Sequence, residues 1–256
     1  MATLEKERTE SGSHWYTTKG EPLHQVKKAS GDGLRNTTLR DARKLNLLPS
    51  VTSVFGIMAK RGLEAWKTNQ VITATASNPK TPEESYEYYK SRILSKSMEE
   101  TERASTLGSQ VHDAIEKRLQ GGDTIPSLEQ YVEPAIKEIS KLNITGIQQE
   151  KVLVNNKLGY AGRVDLMGRA KDKNIVVDFK TRKTEPKRAI TPHDYQPMQI
   201  SAYAMSAFGT LDDVCGANVY ISTTEAGRVE TIIYDSDTLK KEFEVFSHIL
   251  AIWRYL

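Results

Sequence analysis

Two aspartates in the middle of the chain sit in apolar surroundings. Asp165 lies between Val164 and Leu166, and Asp178 ends the run Ile175-Val176-Val177. A carboxylate inside an apolar strand is costly unless it is paired, hydrogen-bonded or bound to a metal. The two acids are thirteen residues apart, on segments that read as strands joined by a tight turn, and a hairpin can bring such positions together. Two carboxylates in one place repel each other and invite a divalent cation. Lys180 follows Asp178 by two residues, so both project from one face of a strand. Its ammonium is then beside the acids, near a water or a phosphate. Taken alone, an Asp-x-Lys also reads as a solvated pair on an edge strand.

Three further side chains have spacing that suits chemistry. In Gly108-Ser109-Gln110-Val111-His112 the period is helical, and Val111, Ile115 and Leu119 form the buried stripe. His112 sits beside that stripe and can reach inward while half-buried, although a lone helical histidine also serves as an ordinary surface or core residue. Gln199 and Tyr203 are four apart and share a helix face, with Gln196 a turn earlier. Packing alone would also explain that pair.

These side chains need a particular set of elements to position them. Pro49-Ser50-Val51-Thr52-Ser53 offers N-caps to an apolar-periodic run through Val54, Ile57, Met58, Leu63 and Trp66. Thr81-Pro82-Glu83-Glu84 predicts a helix start, with one helix through Ile93 and a second from about Glu99 to Leu119, stopped by Gly121-Gly122. Ser127-Leu128-Glu129-Gln130 opens a further helix to about Leu142. The period then becomes strand-like over 147–154, 158–168 and 174–180, with turns at Asn155-Asn156-Lys157 and Lys171-Asp172-Lys173. A helix from about Tyr195 to Phe208 follows, then a hairpin of 218–223 with 229–234 around Ala226-Gly227, then a helix over 237–253. The fold class expected is mixed α/β: a mixed central sheet flanked by helices, with a helical N-terminal part. Residues 1–36 read as a polar arm, mobile or loosely packed, with a short strand near Trp15 and Tyr16. Residues 37–145 read as a helical part covering the site, and residues 146–256, compact with 99–145, as the core.

The order Gly-x3-His, Glu150, Gly-x2-Asp, Asp-x-Lys-Thr and Gln-x3-Tyr resembles the PD-(D/E)xK nuclease superfamily, and most of all its RecB-like branch. Pro49-Ser50-Val51-Thr52, leading to Leu63 and Trp66, is similar to mitochondrial genome maintenance exonuclease and related phage nucleases. The resemblance covers roughly residues 48–208. It implies a restriction-endonuclease-like core and a metal-dependent DNA nuclease. On that likeness Asp165 and Asp178 would hold Mg²⁺ or Mn²⁺, helped by the Phe179 carbonyl, with His112 as the additional ligand. Lys180 would orient or deprotonate the attacking water, and Gln199 and Tyr203 would position Lys180 or a DNA phosphate. Glu150 takes the place of a family acid on the strand before Asp165 and would orient a metal-bound water. A bound divalent ion lowers the pKa of its water and screens the phosphate, which is what phosphodiester hydrolysis requires. Some RecB-like members carry an iron–sulfur cluster. A chain with one cysteine, Cys215, cannot build a four-cysteine cluster, so this chain would belong to a cluster-free branch.

The net charge of +3, from 36 Lys+Arg and 33 Asp+Glu, does not by itself mark a nucleic-acid binder, but the charge is uneven. Residues 19–70 carry a balance of +6 and residues 180–188 one of +4. Either run alone reads as a solvated face; together they flank the acids and suggest a phosphate-tracking groove. Candidate DNA contacts are Ser50 and Thr52 at a helix start, Lys60, Arg61, Arg163, Thr181, Arg182 and Lys183. Phe55, Trp66 and Tyr195 are candidates for base stacking that also read as core. The expected function is exonucleolysis at DNA ends, with single-strand threading, in replication, recombination or repair. The end requirement rests on the resemblance alone. The rivals are an endonuclease of the same fold, a non-catalytic DNA-binding recombination module, and an unrelated α/β enzyme; for the last, the commonest phosphate-loop and dinucleotide motifs are absent. DNA is the partner expected, and the sequence names no partner protein. One cysteine excludes an internal disulfide framework and suits a reducing compartment. Residues 1–10 lack the apolar centre of a secretory signal, and no run approaches 18 apolar residues. The expected location is therefore cytoplasmic, the host cytoplasm if phage-encoded, with no membrane association.

Overall fold

The computed structural model describes residues 14–256; Met1–Ser13, the first part of the expected polar arm, lie outside the described residues. From His14 the chain forms β1 (Trp15–Tyr16), a hairpin of β2 (Gln25–Lys27) and β3 (Leu34–Asn36), α1 (Leu39–Leu45), β4 (Leu48–Pro49) and the single-turn α2 (Val51–Val54), followed by a 3-10 turn over Phe55–Ile57. The segment from His14 is not loose. Trp15 and Tyr16 are 2% and 5% exposed, β1 pairs antiparallel with β4, and Trp15 Nε1 donates to the Thr37 carbonyl at 3.1 Å. The Trp15 ring also lies 5.9 Å from Trp253 near the C-terminus.

The helical part differs from expectation in its breaks. The run begun at Val51 stops at Met58, which is extended, and α3 (Arg61–Ser77) starts afresh. Thr81–Glu84 is a turn, closed by Glu84 N–H to the Thr81 carbonyl at 3.3 Å. Glu84 is instead drawn to Arg92, whose Nε donates to it at 2.7 Å. The cap is Ser85, whose hydroxyl accepts from Tyr88 N–H at 3.2 Å, and α4 (Tyr86–Leu119) then runs unbroken for 34 residues. No Gly or Pro lies between Ile93 and Glu99 to divide it. A 3-10 turn over Pro126–Leu128 leads into α5 (Glu129–Ser140).

Then comes the sheet, β5 (Ile144–Asn155), β6 (Tyr160–Ala170), β7 (Lys173–Arg182), β8 (Val214–Ser222) and β9 (Val229–Tyr234), in that spatial order. All neighbours are antiparallel except β7 and β8, which are parallel. A parallel pair needs a crossover, and α6 (Tyr195–Phe208) supplies it; α7 (Ser236–Tyr255) closes the chain. The fold is thus mixed α/β, seven helices and a five-stranded mixed sheet among the described residues. Each face buries its own core. One contains Val164, Val176, Ile200, Tyr203, Leu239 and Phe246 beneath α6 and α7. The other contains Val111, Ile115, Val132, Val177, Phe179 and Val219 beneath α4 and α5. The period-2 alternation of β7 sorts Val176, Asp178 and Lys180 to the α6 side, and Ile175, Val177 and Phe179 to the α4 side. No helix among the described residues is long and apolar enough to cross a membrane.

The seating of β1 depends on a neutral imidazole. His24 Nδ1 accepts from Trp15 N–H at 3.1 Å, so that nitrogen carries no proton. Burial and the neighbouring His14 push the His24 pKa down to about 4. An unfolded histidine takes its proton near 6.5, so the unfolded state binds more protons between pH 6.5 and 4, and stability falls as pH drops through that window. His24→Asn keeps an acceptor and removes the titration. We expect its thermal midpoint to decline less than the wild type's between pH 6.5 and 4; equal declines would show that His24 is not the group responsible.

Candidate active site

The site is built where β6 and β7 part. Their pairing ends at Leu166 opposite Val177, and the next positions in register are Asp165 and Asp178. Beyond this fork β6 continues along β5 to Tyr160, and its free edge receives Ser50 through a single parallel bridge to Ala161. Strand β7 continues along β8 to Arg182. The two acids therefore stand at the apex of a cleft, where one strand edge on each side has lost its partner.

Side chains from four elements meet there. Phe179 N–H, on β7, donates to Asp165 Oδ2 at 2.7 Å, bridging the strands where the ladder stops. Helix α4 brings His112 Nδ1 to 3.5 Å from the same oxygen, and the imidazole packs edge-on against the Phe179 ring. Lys180 Nζ lies 2.6 Å from Asp178 Oδ2. From α6, Gln199 Nε2 reaches Asp178 Oδ1 at 3.2 Å and Tyr203 Oη at 3.1 Å. His112, Asp165, Asp178, Phe179, Lys180, Gln199 and Tyr203 are thus in one connected group.

Two glycines of the spaced motifs permit the close approaches. A Cβ on Gly108 would come within 2.8 Å of Thr181 Oγ1, so the glycine lets α4 lie against β7. A Cβ on Gly162 would come within 2.5 Å of Tyr203 Cε1, so the Tyr203 ring occupies the space a side chain would fill.

The charges hold one another. Burial disfavours the His112 imidazolium, but the Asp165 carboxylate outweighs it and raises the pKa. Burial likewise pushes Asp165 up, and His112 and Lys180 overcome that and hold it low. Asp178 goes the other way: burial, reinforced by Asp165, raises it against the pull of Lys180. Burial works against the Lys180 ammonium, yet the two acids keep its pKa raised. Tyr203 is pushed well up by burial and by Asp178, so its hydroxyl keeps its proton. Two carboxylates and one imidazole are ligand types that suit Mg²⁺ or Mn²⁺. Among the described residues, however, no three His, Cys, Asp or Glu side chains stand placed to hold a metal ion. Asp178 is turned to Lys180 and its amide donors, while Asp165 is turned to His112 and Phe179.

The remaining candidates are more scattered. Glu150, in β5, has a left-handed backbone with φ of 49°, and its Oε2 lies 2.9 Å from Arg163 Nε. It is thus engaged with Arg163. Ser50 is 3% exposed, and its hydroxyl caps α2 by accepting from Ser53 N–H at 3.0 Å. That helix has a single turn, so it contributes little dipole. Thr52 is exposed, and Arg61 is exposed at the start of α3. Lys60 lies over the Tyr195 ring at 5.2 Å. Arg182 donates to the Thr191 carbonyl at 2.9 Å, and Lys183 is paired with Glu100. Among the stacking candidates, Phe55 is 1% exposed and belongs to the core, whereas Trp66 and Tyr195 are half-buried.

Asn218 and Tyr234 escaped the sequence reading. Asn218 Nδ2 donates to Asp178 Oδ2 at 3.0 Å, and Tyr234 Oη donates to Asn218 Oδ1 at 2.9 Å. The signal was present: an amide between Ala217 and Val219 in an apolar strand is as anomalous as an acid there.

No family model matches the chain, and no curated protein matches it. Among solved structures, SSO0001 is similar at 17% identity over 73% of this chain and 86% of that one, with a TM-score of 0.33. A chain from Eubacterium rectale that bears the name "Putative exonuclease" is similar at 13% identity over 77% of this chain and 86% of its own, with a TM-score of 0.40.

The Gly162 contact yields a stability test. Gly162→Ala must displace Tyr203, which is 4% exposed and has nowhere to go. The expected cost is about 1–3 kcal/mol of unfolding free energy, the range for overpacking, measured by urea denaturation. A variant as stable as the wild type would show that the Tyr203 ring can shift freely.

Proposed function

We propose that the chain is a metal-dependent deoxyribonuclease of the PD-(D/E)xK superfamily, in a RecB-like branch without an iron–sulfur cluster, that hydrolyses phosphodiester bonds at DNA ends. The observation that carries this reading is the fork. Two acids, a lysine, a histidine and a Gln–Tyr pair, most of them ordinary when taken alone, converge where β6 and β7 separate.

His112, Asp165, Asp178 and the Phe179 carbonyl are the groups that would hold Mg²⁺ or Mn²⁺; such an ion supplies an acidified water and offsets phosphate charge. Lys180 keeps its proton beside the two acids, which supports an orienting, charge-stabilising part more than that of a base. Its ammonium donates to water or to a phosphate oxygen as negative charge builds in the transition state. Gln199 holds the rotation of Asp178, and Tyr203 anchors Gln199. Glu150 acts through Arg163, keeping that guanidinium extended for a phosphate. The DNA would lie along the cleft. Thr52 and Arg163 are on the β6 side, Thr181, Arg182 and Lys183 on the β7 side, with Lys60 and Arg61 beyond; Ser50, expected as a DNA contact, is 3% exposed with its hydroxyl on Ser53, so it holds the wall rather than touching DNA. This arrangement supports tracking of a backbone by hydroxyl and cationic groups on two walls. Action on single strands in replication, recombination or repair belongs to the same proposal.

The test is purified protein with Mg²⁺ on linear and on covalently closed circular DNA of the same sequence. Linear DNA should be lost and circles spared; equal loss of both overturns the end requirement, and loss of neither overturns the nuclease reading. Lys180→Ala should abolish cleavage while circular dichroism and the thermal midpoint show a folded protein. Retained cleavage refutes the part given to Lys180.

A further inference from the structure

Asp178 is also gripped from the neighbouring strand β8, on the same face of the sheet as α6. Asn218 stands opposite Asp178 in the parallel register of β7 and β8. It is 0% exposed, at the middle of a strand whose other face is packed with Ala217, Val219 and Ile221. Burying an amide there without partners would cost on the order of 1–3 kcal/mol. Both ends are partnered: Nδ2 donates to Asp178 Oδ2 at 3.0 Å, and Oδ1 accepts from Tyr234 Oη at 2.9 Å. The second bond decides the first. Were the amide turned over, its oxygen would face the carboxylate, and the Tyr234 hydroxyl would lose the acceptor it now has.

The terminal torsion of an aspartate is broad and roughly two-fold. A buried carboxylate therefore rotates unless both of its oxygens are held. Gln199 holds Oδ1 at 3.2 Å. Lys180 Nζ reaches Oδ2 at 2.6 Å, but a lysine head on a four-carbon stem is mobile and is itself needed at the substrate. Asn218 is the rigid donor to that oxygen, anchored in the sheet rather than on a flexible chain.

We propose that Asn218, locked by Tyr234, is a positioning residue that fixes the rotation of the Asp178 carboxylate and leaves Lys180 free to act on the substrate. The pair works as an amide clamp, Gln199 from α6 and Asn218 from β8, closing on the two oxygens of one acid. This rests on the nuclease reading above. Groups that orient an active-site ligand in this way are worth about 10–100-fold in activity or metal affinity.

Two variants test it, Asn218→Leu, close in volume, and Tyr234→Phe, which keeps the ring and removes the hydroxyl that bonds the Asn218 carbonyl and Tyr220. We expect kcat for linear DNA to fall by about 10–100-fold in Asn218→Leu and by less in Tyr234→Phe, with KM for DNA unchanged in both. A loss confined to kcat marks an interaction used in the transition state. Isothermal titration with Mn²⁺ alone should show weaker binding in the same order. Folded variants with wild-type kcat and wild-type Mn²⁺ affinity overturn the proposal, as does a rise in KM with kcat intact, which would show an effect on DNA binding and not on the Asp178 carboxylate. If Asn218→Leu does not fold, Tyr234→Phe decides alone. A wild-type protein that neither cleaves DNA nor binds Mn²⁺ overturns the nuclease reading and this proposal together, whereas an active wild type matched by its variants overturns this proposal only.

Discussion

Asp178 carries its carboxylate at 4% side-chain exposure, beneath a sheet where water cannot solvate it, and much of the surrounding structure answers that fact. An isolated buried charge is too costly to persist. Its two oxygens are therefore met by Gln199, Lys180 and Asn218, and two of these donors are held in turn, Gln199 by Tyr203 and Asn218 by Tyr234. The helix α6 that crosses from β7 to β8 makes the parallel pairing feasible and also delivers the glutamine and tyrosine. The crossover and the site are thus one requirement met by one element.

The fork in the sheet complements this. Strands that pair along their full length leave no room for a ligand between them. Here β6 and β7 are joined by the Lys171–Asp172 turn, run together for five positions and part at the acids. Backbone groups beyond the fork lose their ladder partners, and the structure compensates with pieces brought from afar: Phe179 N–H goes to Asp165, and the edge of β6 takes Ser50. The N-terminal segment, fastened through Trp15 and His24, is what delivers Ser50 to that edge.

Much of this was legible in the sequence, for a physical reason. Asp165, Asp178 and Lys180 announced themselves because each breaks an apolar strand pattern, and Gln199 and Tyr203 because helical spacing aligns them. The helix over Tyr195–Phe208 and the strand over Val229–Tyr234 were read with the bounds observed. Asn218 carried the same anomaly as the acids, but its strand was expected to begin at that residue, so it looked like an end. The cap pattern Thr81-Pro82-Glu83-Glu84 places the start of α4 too early, because Glu84 is drawn to Arg92, and no breaker between Ile93 and Glu99 divides the helix. The packing of Trp15 and Tyr16 depends on Thr37, His24 and Trp253; contacts that distant in sequence have no local signature. Tyr203 resting on Gly162, and α4 passing Thr181 at Gly108, are likewise relations between surfaces. The spacing showed that the glycines were there without showing what filled their space.

The length of α4 has its own consequence. At about 1.5 Å per residue, 34 residues reach roughly 50 Å, well past the sheet it serves. Its C-terminal turns bury Val111, Ala114 and Ile115 in the core, whereas the buried side chains of its first half, Ile93 and Ser97, lie where its helical neighbour is α3. One continuous helix therefore spans two regimes of protection. Its amides near His112 should exchange with solvent only when the core opens, and those near Tyr86 whenever the α3–α4 hairpin loosens by itself. The histidine is mounted on the end of the helix that the core buries.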